Sequence, residues 1–156
     1  MDWLFKADKK ICDLRVAGIL VNNGYILVQR EKGGSEYAIP GGHVKIGETL
    51  ADALTREYEE EMGLSISIRH LLWTEESFWD WNGISTHNIS FYYLIELTDE
   101  WVTAAQNQFV CHKDNPKVEY GWVSIDKLKE IKIYPNFIKD KIHDLNCKQK
   151  HFITKA

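Results

Sequence analysis

The chain has 156 residues, a mass of 18.2 kDa and a formal net charge of −4. With 44% hydrophobic and 27% charged residues it has the make-up of an ordinary folded protein, which excludes a disordered chain, and its length predicts a single domain over residues 1–156. The acidic balance argues against nonspecific nucleic-acid binding, and no apolar run reaches membrane-spanning length.

Met1 to Lys6 lack the basic, then apolar, then small-residue order of a secretory signal, so a cytoplasmic location is expected. Cys12, Cys111 and Cys147 are odd in number, far apart and without a CxxC. They argue for a reducing compartment and against a disulfide framework or zinc module. Residues 14–21 and 25–30 are β-rich and flank Asn22-Asn23-Gly24, a hairpin signal. Gly33-Gly34 marks a loop, and Tyr37-Ala38-Ile39 is a short apolar piece stopped by Pro40-Gly41-Gly42. Residues 49–62 read as a helix with Gly63 at its end. Residues 64–73 alternate like a strand, and the polar, aromatic stretch 75–88 reads as a loop or hairpin end. Ile89, Phe91, Tyr93, Ile95 and Leu97 recur with period two, the mark of a strand. Residues 120–123 read as a late strand, and 126–130 and 135–145 as helical, with Pro135 in a first helical turn. Strands on both sides of a mid-chain helix, with a helix at the end, predict an α/β fold in which helices cover a mixed sheet.

Charge is unevenly spread. Residues 126–156 hold eight lysines and four acids, a balance of +4, so residues 1–125 carry −8. Much of that acid is Glu57-Tyr58-Glu59-Glu60-Glu61. On a helical wheel at ~100° per residue, with Glu57 at zero, Glu61 falls at about 40° and Glu60 at about −60°. Leu54, Tyr58, Ala51 and Met62 form the apolar stripe beside them, while Glu59 and Asp52 point the other way. A solvated charge face is the ordinary meaning of such a run. Against it, like charges three and four apart destabilise a helix and raise one another's pKa unless a cation neutralises them. Clustered carboxylates suit a hard ion such as Mg²⁺ or Mn²⁺, and such ions bridge to substrate phosphates. Gly41 and Gly42, leading towards a helix N-terminus, are read as a loop where backbone can approach an anion closely.

The combined spacing is more specific than any part. Gly42, five residues, Glu48, seven residues, then Arg56-Glu57-Tyr58-Glu59-Glu60-Glu61-Met62-Gly63-Leu64 resembles the Nudix box, GX5EX7REUXEEXGU, at every fixed Gly, Glu and Arg position. The one departure is Tyr58, aromatic where an aliphatic is usual, and it lies on the apolar stripe as a packing variation. The hairpin ahead of the box, Tyr37-Ala38-Ile39-Pro40-Gly41-Gly42 leading into it and Gly121-Trp122-Val123-Ser124-Ile125-Asp126 also resemble the family. The resemblance implies a Nudix-type α/β/α sandwich with a mixed β-sheet. It implies an enzyme that hydrolyses a nucleoside diphosphate linked to another group, using Mg²⁺ or Mn²⁺. Glu57, Glu60 and Glu61 match the family's metal-binding carboxylates, one of which, or a residue from a distant loop, would activate water. Arg56 orients a neighbouring glutamate, with Glu60 as its i,i+4 partner. Glu48 buttresses loop and helix. Gly42 is placed with the metal site and, like Gly63, has a conformational role.

Outside the box the readings stay divided. Arg30 is either a phosphate contact or a strand-end arginine. Asp114 and Glu119 are candidates for a further acid, or plain surface acids. Phe78, Trp79 and Trp81 either stack on a base or pack a core or dimer interface. Trp73 and Trp122 are assigned to the core. His43, His70, His87, His112, His143 and His151 show no ligand spacing and are taken as structural or solvated, and the basic C-terminus as a solvated face. Family members selective for ADP-ribose often carry a proline about fifteen positions past the box; here no proline occurs between Pro40 and Pro116. A nucleoside triphosphate, such as one with an oxidised purine, is therefore the first substrate expected. ADP-ribose, a dinucleoside polyphosphate, capped RNA and a non-catalytic nucleotide-binding module are the alternatives. A homodimer is compatible with the chain, and a long RNA partner is disfavoured.

Overall fold

The computed structural model describes residues 1–98 and 108–156. Its centre is β2 (Lys10–Asn22), which turns at Asn23-Gly24 into β3 (Tyr25–Glu31). Both turn residues have positive φ, as a two-residue hairpin turn requires. Only Val21↔Ile26 and Asn22↔Tyr25 pair across that hairpin, because the two strands then diverge into different parts of the sheet. β2 runs parallel to β7 (Ile84–Leu97), which pairs antiparallel with β6 (Ile66–Trp81). β3 pairs with β9 (Val118–Ser124) and with β4 (Glu36–Ala38), and β4 with β10 (Lys132–Tyr134). Val110–Cys111 form β8 against β9, and Leu4–Ala7 form β1 against the start of β2. The sheet is mixed, as expected.

β2 explains why the sheet is covered on both faces. Val16 and Leu20 join one core with Ala53, Leu54, Tyr58 and Met62 of α1 (Leu50–Met62). Ala17 and Ile19 join the other core with Leu128 of the 3-10 helix (Ile125–Glu130) and Ile138 of α2 (Ile138–Lys141). Adjacent residues point to opposite faces of a strand, so a strand buried on both sides reads as an unbroken apolar run. Trp73 and Trp122 are buried, one in each core. Among the described residues no helix is long and apolar enough to cross a membrane.

α1 starts one residue after the expected Thr49, which is its cap. The Thr49 hydroxyl accepts from the Asp52 N–H at 3.1 Å, and Gly63 closes the helix at φ 66° with its N–H on the Glu59 carbonyl. Tyr58 is the packing variation read from the box: its ring is fully buried, and its hydroxyl donates to the Gly18 carbonyl at 3.0 Å.

Several expectations are corrected. Gly41–His43 are not a loop but a short strand, β5, antiparallel to β2, with Val16 opposite Gly42. The N-terminus of α1 is already satisfied by Thr49 and carries the acid Asp52, so it is a poor anion site. Of residues 75–88, β6 and β7 take all but Asn82-Gly83, a second positive-φ turn, so the loop reading fails and the hairpin reading holds. The helix expected over 135–145 shrinks to α2. The Ile138 N–H bonds to Pro135 O and the Asp144 N–H to Lys141 O, three-residue bonds that keep the flanks as turns. Pro135 precedes the helix rather than opening it. The basic tail, though mostly exposed, is a strand, β11 (Lys150–Lys155), parallel to β6, with Phe152 stacked on Phe137 at 4.0 Å. All three cysteines are free.

Candidate active site

β5 and α1 meet edge to face, and the meeting is built on Gly42. A Cβ placed there would lie 2.2 Å from Glu57 Cδ, so the carboxyl occupies the space a side chain would need. Gly42→Ala is expected to push Glu57 aside and cut turnover by about 100-fold while the fold survives. Steady-state kinetics beside a thermal melt check this.

Arg56 ties the acids together. Its Nε and Nη2 donate to the two oxygens of Glu48, at 3.1 and 2.6 Å. Nη1 donates to Glu57 at 2.7 Å and to Glu60 at 3.2 Å, and Nη2 also donates to the His43 carbonyl at 3.1 Å. Hydrogen bonds to Glu48 lead in raising the guanidinium pKa further above its ordinary range, with those to Glu57 behind them. The bonds from Arg56 outweigh burial and hold the Glu48 carboxyl below its usual value, and the Lys45 N–H at 2.6 Å adds to them. Arg56 thus bonds to three box glutamates, Glu48, Glu57 and Glu60, rather than to Glu60 alone.

The three box carboxylates do not share one environment. Glu60 is half exposed and leans on Arg56. Glu57 is held between Arg56 and Gly42. Glu61 turns inward. Its carboxyl pKa is pushed up to about 8, first by burial, then by the negative charges of Glu57 and Asp114, with Arg15 opposing. Its Oε2 is buried and has no hydrogen-bond partner.

The turn between β8 and β9 completes the cluster. The Lys113 N–H donates to the Glu61 carbonyl at 2.8 Å, pinning the turn after β8 to the end of α1. Ligand atoms of Glu61, His112 and Asp114 then lie within 4.8 Å of one another. His112 Nδ1 is 3.6 Å from Glu61 Oε2. Burial lowers the His112 pKa against the pull of Asp114, so the imidazole is neutral at pH 7. A buried carboxylate oxygen without a donor, among further acids, fits a divalent cation by its donor chemistry. His112, read from the sequence as structural or solvated, joins this cluster; its position two residues before a candidate acid is the sequence signal for that.

The other candidates lie elsewhere. Glu119 faces Arg30 across β3 and β9, with Arg30 Nε donating to it at 2.8 Å and the Gly33 N–H at 3.1 Å. The Gly33 N–H first, then Arg30, hold its pKa below the usual range. Arg30 also donates to the Gly34 carbonyl and the Tyr37 hydroxyl, and its guanidinium lies 3.9 Å from the Phe109 ring centroid. Its charge is thus paired within the protein. Phe78 stacks on His87 at 4.2 Å, and Trp79 and Trp81 lie exposed at the end of the β6–β7 hairpin. Trp79 faces Thr86, five residues before Phe91, which pairs with Val16 beside the box, a spacing of roughly 17 Å along the strand. The structure does not bring these aromatics to the acidic face. Of the histidines, His43 contacts Asp13 Oδ2 through Nε2 at 2.9 Å, a structural role.

Comparison with known proteins gives a consistent answer. A family model described as NUDIX domain matches residues 13–143. An 8-oxo-dGTP diphosphatase of Haemophilus influenzae is 36% identical over 100 residues, covering 61% of this chain and 68% of that protein. The low-salt glycan biosynthesis protein Agl8 of Haloferax volcanii is 34% identical over 76 residues, 46% of this chain, and the match spans only about half (49%) of that protein's length. Among solved structures, a NUDIX hydrolase from Nitrosomonas europaea superposes with a TM-score of 0.64 at 16% identity, covering 92% of this chain and 79% of that one. A MutT protein from Bacillus halodurans gives 0.63 at 17% identity, covering 92% and 90%. The box geometry, the sandwich and a family match over most of its length agree: this chain belongs to the NUDIX family.

Proposed function

We propose that the protein hydrolyses a pyrophosphate linkage in a nucleoside diphosphate derivative, with a nucleoside triphosphate, and an oxidised purine in particular, as the first candidate. The observation that carries the reading is Glu61, a half-buried carboxyl whose buried Oε2 has no partner, set among further acids behind the Arg56 cluster. The similarity to an 8-oxo-dGTP diphosphatase supports the choice of substrate.

Glu57, Glu60 and Glu61 would hold the divalent ion, Mg²⁺ or Mn²⁺, with Asp114 as the further acid. When bound, such an ion polarises a phosphoryl group, lowers the pKa of water and neutralises developing charge. The chain's own residues prepare the site for it. Arg56 spreads one positive charge over Glu48, Glu57 and Glu60, which orients the box carboxylates in close quarters. Glu61 gives up its proton as the site is loaded, since only the carboxylate is a ligand.

The test is a hydrolysis panel of nucleoside triphosphates, 8-oxo-dGTP, ADP-ribose and dinucleoside polyphosphates, with either ion and with Glu60→Gln as control. Turnover of a triphosphate, lost in the variant, is expected. No turnover of any substrate, or full activity in the variant, would reject the reading.

A further inference from the structure

His112 has a chemistry that the box does not supply. It is 5% exposed, and its Nε2 is buried without a hydrogen-bond partner. Its backbone N–H is fixed to the Val118 carbonyl at 2.8 Å, and its ring lies 5.8 Å from Tyr120. Clamped in this way, the imidazole keeps Nδ1 turned to Glu61 Oε2, the second buried atom that lacks a partner. Buried polar groups in folded proteins are satisfied as a rule, so the Glu61 oxygen that Nδ1 faces, buried and without a partner, needs an explanation. At 3.6 Å the pair is too far apart to be a hydrogen bond. Two donors ~2.1 Å from one ion, spread by roughly tetrahedral or octahedral angles, lie about 3.0–3.5 Å apart. The observed separation is close to that, and Asp114 completes a third side within 4.8 Å. Imidazole nitrogen is a ligand for Mn²⁺, Zn²⁺ and their transition-metal neighbours, while Mg²⁺ prefers oxygen and keeps its waters.

We propose that His112 is a nitrogen ligand, beside Glu61 and Asp114, to one divalent-ion position at the inner end of the acidic face, which thereby selects a transition ion of the Mn²⁺ class over Mg²⁺. The inference rests on the reading of this face as a metal site, but concerns which ion it takes. It makes His112 and Asp114, two positions apart on the β8–β9 turn, a paired extension of the box.

The test is electron spin-echo modulation of Mn²⁺ added to the metal-free protein. The wild type is expected to show nitrogen coupling to the ion, changed in the expected isotopic way when the histidines carry ¹⁵N. The coupling should vanish in His112→Asn and persist in His43→Asn. Competition titrations should show Mn²⁺ bound at least ~10-fold more tightly than Mg²⁺, with the preference falling ~10-fold or more in His112→Asn. Mn²⁺ bound without nitrogen coupling in the wild type would overturn the proposal while leaving the metal site intact. So would coupling that survives His112→Asn. Absence of any Mn²⁺ binding would overturn both this proposal and the hydrolase reading beneath it. The labelled wild type needs no substitution, so a variant that fails to fold does not remove the test.

Discussion

Glu61→Gln is expected to lower turnover by about 10³-fold and, in the metal-free protein, to raise the melting temperature. Both effects come from one placement. The Glu61 carboxyl is ordinarily at 4.5 and is raised to about 8 in the fold, mainly by burial and then by Glu57 and Asp114. Between those two pH values the folded protein keeps a proton that the unfolded chain has released. Stability therefore falls as pH rises through this window, the reverse of an ion-paired acid. Glutamine mimics the protonated carboxyl and removes the penalty. The gain should be absent below pH 4.5 and complete above pH 8. Solvent screening of this partly exposed carboxyl cuts the full value of the shift to on the order of 2 kcal/mol, or ~5 °C. Thermal melts in a chelator at pH 4.5, 6.5 and 8 read it directly. Saturating Mn²⁺ should reverse the order, since only the wild type keeps the full ligand set and gains from binding. Loss of a charge that stabilises the reacting phosphoryl group accounts for the fall in rate. The site is thus stabilised by the change that disables it, the trade expected of residues placed for function.

Arg56→Lys is expected to be nearly as damaging, by the opposite route. A guanidinium reaches Glu48 with two nitrogens and still donates to Glu57, Glu60 and the His43 carbonyl. An ammonium cannot match that fork. Glu48 and Glu57 are both largely buried and would face each other with too few donors. The expected cost is about 3 kcal/mol of stability, with turnover down ~100-fold as Glu57 and Glu60 lose their orientation. Denaturant melts and kcat on the same preparation check both. Unchanged stability with unchanged kcat would mean that the arginine only decorates the surface.

What could be read from sequence, and what could not, follows from the range of the interactions involved. α1 was legible end to end because its signals are local: a threonine cap, a wheel with one apolar stripe, and a terminal glycine. The separation of Glu57 and Glu61 from Glu59 follows from the same wheel. β5 was not legible, since Gly41-Gly42 have no side chains to alternate, and only the pairing with β2 makes them a strand. The β6–β7 hairpin was legible only as one of two readings, because its outer end runs beyond the cores. Trp81 is 70% exposed there, so burial no longer imposes a pattern. Asp114 and Glu119 lie five positions apart and have opposite fates. Glu119 falls opposite Arg30 through the β3–β9 register, and Asp114 is delivered to Glu61 by a turn anchored on the Glu61 carbonyl. No local spacing carries either fact. His112 was passed over for the same reason, as its partner is 51 positions away on another element.

The acidic balance of the chain now has a definite location. It is concentrated where one arginine and a divalent ion would offset it, and this makes a phosphate-rich substrate compatible with a net charge of −4.

The central claim is cleavage of a pyrophosphate linkage at the acidic face, and phosphorus NMR of one reaction tests it most directly. With Mn²⁺ and a nucleoside triphosphate, the wild-type chain should convert the three nucleotide resonances into a nucleoside monophosphate and inorganic pyrophosphate. A nucleotide left intact, or orthophosphate released from its end with a nucleoside diphosphate, would contradict the account.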